Sequence, residues 1–197
     1  MKVLIISEGK HELGGALETI VRRIMAIPAE FEALKVSDRA LRVSHGRGPG
    51  YFKKAVRCLL YAAEHGYDAV VLLIDQDDQV ERRRQLSDAQ DEFRLTAIPR
   101  AMGVAVLTFD AWMLADEQAL TSVLSHPVQR QPDPEMVADA KGRCTALRDE
   151  SGADVSLTAL YRAVAEVLDL EVLTPRCPLG YEPFAQRARQ MAEQLQR

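Results

Sequence analysis

Ala69-Val-Val-Leu-Leu-Ile74, followed at once by Asp75-Gln-Asp-Asp78, is the stretch on which the reading of this chain turns. Six apolar, mostly branched residues without a polar break suit a strand covered on both faces, as in a parallel sheet. Upstream, Phe52, Ala55, Val56, Leu59, Leu60 and Ala63 recur at helical spacing until Gly66 stops them, after the turn-rich Gly46-Arg-Gly-Pro-Gly50. Further upstream, Lys2 to Ser7 reads as a strand and Leu13, Ala16, Leu17, Ile20 and Ile24 as one face of a helix over 12–26, despite Gly14 and Gly15. Phe31 to Val43 is ambiguous and has room for one or two short strands. Downstream, a polar helix over 79–95 precedes a strand from Gly103 to Phe109. The β-α-β-α-β-α-β order predicts an α/β fold: a central, mostly parallel sheet with helices on both faces. Past Asp110 the pattern is helical, with helices expected near 111–124, 134–148, 156–168 and 182–196, broken by Pro127, Pro132, Pro175 and Pro178. This divides the chain into an α/β core, 1–115, and a helical C-terminal extension, 116–197, packed on it as a single compact unit.

With 197 residues, 47% hydrophobic and 27% charged, the chain has the make-up of a globular domain and not of a disordered one. The apolar runs fall far short of the ~20 residues of a membrane helix, and the first residues lead directly into a strand, so neither a membrane anchor nor a secretory leader is expected. Cys58, Cys144 and Cys177 have neither zinc-ligand nor disulfide-scaffold spacing and read as reduced, packing thiols. A cytoplasmic location follows as an expectation.

In an open parallel sheet, ligands bind beyond the carboxyl ends of the strands. Three predicted strand ends deliver acids there: Glu8 after the first, Asp75, Asp77 and Asp78 after the central one, and Asp110 after the last. Carboxylates brought together repel, so some must take up protons unless a cation neutralises them, and hard oxygen ligands in that number suit Mg²⁺ or Mn²⁺. Asp75 and Asp77 can point into one crevice only if the backbone bends between them. As caps of the following helix, Asp77 or Asp78 would have a purely structural role.

The segment Ser7-Glu8-Gly9-Lys10-His11-Glu12 resembles the Glu-Gly-x-x-Glu opening of OLD-type Toprim proteins, and the later strand ending in Asp-x-Asp fits the same domain. Asp110-Ala-Trp-Met-Leu-Ala-Asp116 is similar to the Glu-Ala-Trp-Leu-Leu-Ala-Asp motif of small stand-alone Toprim-like proteins, and Asp133-Pro-Glu135, Lys141 and Cys177-Pro-Leu-Gly-Tyr-Glu-Pro-Phe184 fit their tail. The resemblance implies a Toprim-like, Rossmann-like sheet and a divalent-metal nuclease acting on DNA or RNA. Glu8, Asp75 and Asp77 would be catalytic, Glu8 as a metal ligand or general base and Asp75 and Asp77 as ligands of Mg²⁺ or Mn²⁺, with Glu12 one turn beyond Glu8. Asp110 stands where the family has Glu and, one methylene shorter, suits a water-mediated contact. Lys10 and Lys141 would meet substrate phosphates. A place behind the ligands is implied for Asp78, Trp112 and Asp116, although Trp112 reads first as a core anchor and Asp116 as a helix cap. OLD-type relatives often work with an ATPase, fused or encoded separately. This chain has no Gly-x-x-x-x-Gly-Lys-Ser/Thr loop, so such a partner would be a separate polypeptide, in an anti-phage or DNA-repair setting. One or two metals, and a monomer or a homodimer, are left open.

The net charge of −4 hides a division. Residues 1–65 hold 11 basic and 7 acidic groups, net +4, whereas 66–150 hold 9 and 16, net −7. Lys35, Arg39, Arg42, Arg47, Lys53, Lys54 and Arg57 face only Asp38, and a basic loop and helix start beside an acidic crevice suit a phosphate backbone, with Arg47, Lys53 and Lys54 as contacts. The run Arg82-Arg83-Arg84 reads as a solvated helix face. The competing readings are a non-catalytic scaffold subunit of an ATPase complex and a small-molecule phosphohydrolase.

Overall fold

The computed structural model describes residues 1–42 and 50–197. Four strands, β1 (Lys2–Ser7), β2 (Glu30–Lys35), β3 (Ala69–Asp75) and β4 (Arg100–Ala105), form one parallel sheet in the order β2-β1-β3-β4. The ambiguous stretch after residue 30 thus holds one strand, at the sheet edge, where Glu30, Glu32 and Lys35 are exposed and discourage pairing with another chain. Between the strands run α1 (Leu17–Met25), α2 (Gly50–Glu64) and α3 (Glu81–Gln90). After β4 come α4 (Asp110–Met113), α5 (Glu117–Leu124), α6 (Ala140–Ser151), α7 (Leu157–Val167), α8 (Leu170–Arg176) and α9 (Tyr181–Leu195).

Alternation along the strands splits the core in two. Val3, Ile5, Ala69, Val71 and Leu73 face a large layer of α1, α7, α9 and the Trp112 region, while Leu4, Ile6, Val70, Leu72 and Ile74 face α2 and α3. This is the Rossmann-like α/β arrangement expected, with the C-terminal helices sharing one core with the sheet. No described helix is long and apolar enough to cross a membrane. The three cysteines are free and buried, and burial pushes the Cys58 and Cys144 thiols up to about 12.

Several boundaries differ from expectation for local reasons. The helix over 12–26 begins with a wide π-type turn, Glu12–Ala16, broken at Gly15, whose φ of +110° is open to glycine; regular helix starts only at Leu17. The polar helix ends at Gln90 instead of 95, because the carbonyls of Ala89, Glu92, Thr96 and Ile98 turn onto the buried Arg100 guanidinium. That ring of acceptors lets a charged residue begin β4, three residues before the apolar run suggested. The predicted helix 111–124 is cut in two, since Asp116 caps a new helix by accepting from Gln118 N and Ala119 N, both at 3.0 Å. The 134–148 helix is a short 3₁₀ turn, Pro134–Met136, followed by α6. The expectation missed α8, which carries Pro175 near its end.

The free edge of β4 is covered by side chains. Gln90 donates from Nε2 to Arg100 O (3.1 Å) and accepts from Met102 N (2.9 Å), as a neighbouring strand would, and Arg187 Nη1 donates to Met102 O at 2.7 Å.

Candidate active site at the carboxyl end of the sheet

Strand order reverses between β1 and β3, and Glu8 and Asp75 leave the sheet there. In open α/β sheets such a switch point opens a crevice at the strand ends. Asp75 ends β3, where Phe109 N donates to its Oδ1 at 2.7 Å. The chain then bends: Asp77 has a φ of +47°, a conformation Asp tolerates better than most residues. The bend foreseen between the two aspartates is therefore present, but it carries Asp77 to an arginine.

Arg82 is the central cation of this outer cluster. Its Nη1 donates to Asp77 Oδ2 at 2.6 Å and to the backbone oxygen of Asp75 at 2.6 Å, and lies 3.5 Å from Glu8 Oε2. The other Glu8 oxygen, Oε1, accepts from the Tyr51 hydroxyl at 2.5 Å, and the Arg82 guanidinium sits over the Tyr51 ring, 4.5 Å from its centroid. Arg82 is only 8% exposed, so the solvated-face reading fails for it and holds for Arg83 and Arg84, which are exposed. The missed signal is its spacing: Arg82, Leu86 and Ala89 form the buried stripe of α3.

A second, inner group lies deeper. Glu12, Asp110 and His11 are buried. Glu12 folds over Gly9, where a Cβ would stand 1.9 Å from its Oε2. Asp110 begins α4, and its Oδ1 accepts a hydrogen bond from the Tyr161 hydroxyl of α7. His11 shares a 2.8 Å bond between Nδ1 and Thr158 Oγ1, and its ring packs on Tyr161. Glu12 and Asp110 were expected together, but nothing in the sequence links them to Thr158 and Tyr161 of α7; His11 and Thr158 alone are 147 positions apart.

The electrostatics are those of acids without enough counter-charge. Burial pushes Asp75 up to about 7, reinforced by Glu12, Asp110 and Asp77 and opposed by the Phe109 N–H. Burial also raises Glu12, again reinforced by Asp110 and Glu8, while its own backbone N–H and Lys141 pull it down. Burial, then Lys141, lowers His11 against the pull of Asp110. Hence Glu8, Glu12, Asp75, Asp77 and Asp110 occupy one end of the sheet and sense one another. Their hard oxygens have the chemistry of a Mg²⁺ or Mn²⁺ donor set. Yet among the described residues no three His, Cys, Asp or Glu side chains converge as a ready metal cage. Glu8 and Asp77 face Arg82 instead, and Asp110 faces Tyr161.

The other expected contacts divide. Lys10 and Lys141 are exposed near the inner group and reach it electrostatically at His11. Lys53 is half-buried on α2, and the exposed Lys54 lies over the Tyr51 ring, 3.9 Å from its centroid. Arg47 lies outside the described residues. Asp78 is exposed, and neither it nor Asp77 caps α3, whose N-cap is Val80 without a side-chain bond. Trp112 is wholly buried among Phe109, Tyr181 and Phe184, and its Nε1 has no partner among the described residues, so it is a core anchor. Asp116 caps α5 with Oδ1 and accepts from Asp169 N with Oδ2 at 2.8 Å. Two motif fragments meet beside the end of β4: the buried Glu135 accepts from Leu179 N (2.9 Å) and Gly180 N (2.7 Å).

No family model, curated protein or solved structure matches this chain.

Proposed function

We propose that this chain is a divalent-metal-dependent nuclease of Toprim type, cleaving phosphodiester bonds of DNA or RNA. One observation carries the reading: Glu8 and Asp75 at strand ends, with Glu12 of the turn before α1 and Asp110 at the start of α4, gather at one end of the sheet, where burial and mutual repulsion raise Asp75 and Glu12. Asp75 and Glu12, with Asp110 and Glu8 beside them, are the residues that would hold a Mg²⁺ or Mn²⁺ ion, whose charge would relieve that repulsion. Bound there, it would polarise a phosphodiester and make a water more nucleophilic. The chain's own residues prepare the site. The Phe109 N–H aims Asp75, Gly9 makes room for Glu12, and Tyr51 and Arg82 fix the Glu8 carboxylate. The basic residues of α2 and Lys141 flank the crevice with charge complementary to a phosphate backbone. A separately encoded ATPase and a role in anti-phage defence or DNA repair belong to this proposal.

The test is incubation of the protein with supercoiled plasmid, linear DNA and RNA in Mg²⁺ or Mn²⁺, beside Glu8→Gln and Asp75→Asn. We expect cleavage that drops at least about 10²-fold in each variant. Cleavage surviving in both overturns the site. A second reading, a scaffold subunit of an ATPase complex, is favoured by the Arg82 bridge, which satisfies Glu8 and Asp77 without metal. Failure of Mn²⁺ to bind in calorimetry selects the scaffold.

A further inference from the structure

Beside Glu8, a cavity of about 360 Å³ lies between α2 and the chain leaving β2, with Val36, Ser37, Leu41, Lys54, Arg57 and Cys58 completing its lining. Its size is at the lower end of the ~300–1,000 Å³ of small-molecule sites and cannot take a duplex. Lys54 and Arg57, three residues apart on α2, lie on one helix face and both reach it. Neither has a carboxylate partner among the described residues.

Arg57 Nε is moreover buried and has no acceptor among the described residues. A donor removed from water and left unpaired is costly, so the site is incomplete without an anion. A guanidinium fork with an ammonium beside it fits a phosphate. Glu8 also lines the cavity, but it is already paired with Arg82, 3.5 Å from its Oε2, so Lys54 and Arg57 leave a surplus of positive charge there. Of the remaining walls, Val36, Leu41 and Cys58 are apolar and Ser37 is polar, a mixed lining that suits the body of a sugar and base.

We infer that this cavity is a binding pocket for one nucleoside monophosphate unit, its phosphate on Lys54 and Arg57 and its nucleoside against Val36 and Leu41. The unit is either a free nucleotide or the 5′-phosphorylated end of a strand. The inference deepens the nuclease reading and rests on it only in linking this pocket to the acidic crevice that shares Glu8. Under it, the enzyme receives a single unpaired nucleotide beside the acids.

The experiment is calorimetric titration of the full chain in metal-free buffer with EDTA, using dAMP and dTMP, the matching nucleosides, inorganic phosphate, and a trideoxynucleotide with and without a 5′-phosphate. We expect the monophosphates to bind at least about tenfold tighter than either the nucleosides or phosphate. Lys54→Met and Arg57→Met are each expected to weaken them about tenfold, while Arg94→Met, an exposed charge elsewhere, leaves them unchanged. Circular dichroism verifies that the variants fold; Lys54 is exposed, so its variant carries the test if Arg57→Met does not fold. Preference for the 5′-phosphorylated trinucleotide over its 5′-hydroxyl form identifies a strand end as the source, and binding of the free nucleotides alone identifies them. Monophosphates binding no better than inorganic phosphate, or unaffected by Lys54→Met, overturn the pocket. Binding without any cleavage removes the nuclease reading alone, and cleavage without nucleotide binding removes this inference alone.

Discussion

At Gly9 a Cβ atom would stand 1.9 Å from Oε2 of Glu12, so any other side chain pushes that carboxylate out of its place. Because Glu12 ends in a flexible chain, the cost falls on geometry more than on stability. Gly9→Ala is expected to leave Tm within a few degrees while lowering cleavage about 10²-fold, the scale of a misplacement of about 1 Å. Retained cleavage would show that Glu12 is a bystander. Asp75 supplies a pH test. Its carboxyl is raised from 3.8 in an unstructured chain to about 7 in the fold, so the folded state binds the extra proton. Its contribution to stability is full below pH 4 and is lost as pH rises from about 4 to 7. The span is of order 4 kcal/mol, given about 1.4 kcal/mol per pH unit. Urea titrations across that range should show Asp75→Asn losing this slope and exceeding the parent in stability above pH 7. A parallel slope in both proteins would refute the assignment.

Among elements, Asp116 ties the start of α5 to the start of α8, beside an ion pair between Glu117 and Arg176. Asp116 receives three backbone N–H groups, two from α5 and one from Asp169. Asp116→Ala removes a cap and leaves the Asp169 N–H unpaired, at a cost of about 2–3 kcal/mol, read from the urea midpoint at unchanged slope. A loss under about 0.5 kcal/mol would mean that water replaces the carboxylate. The same residue explains why a single helical stripe over 111–124 became two helices: periodicity reports which face is apolar, not where an acid interrupts the ladder. Arg100 taught the converse. A charge that seemed to precede its strand begins it, because four carbonyls converge on the guanidinium. Such an enclosure is assembled from α3, its exit loop and β4, and is invisible in a local window.

For the whole molecule, the acids at one end of the sheet predict that Mg²⁺ or Mn²⁺ stabilises the fold. At a metal concentration a hundredfold above Kd the gain is about 2.7 kcal/mol, or roughly 5–10 °C in Tm for a chain of this size. Asp75→Asn should abolish most of that shift in differential scanning fluorimetry. An equal shift in the variant would place the metal elsewhere. Much of this architecture was legible in advance. The unbroken apolar run at 69–74 determined a buried parallel strand, since only covered strands tolerate no polar face. Strand–helix alternation determined helices on both faces, and Glu8 and Asp75 at strand ends determined that acids gather where such sheets bind ligands; Asp110, expected directly after a strand, instead begins α4, because β4 ends at Ala105 and not at Phe109. Tertiary structure alone decided how those acids are balanced. Arg82, apparently one of three solvated arginines, is turned inward by the stripe it shares with Leu86 and Ala89 and takes Glu8 and Asp77. Tyr161, 51 residues from Asp110, holds that carboxylate from α7. Local periodicity encodes which residues leave water. The partner that a buried charge meets depends on packing between segments distant in the chain, and only the folded molecule brings them together.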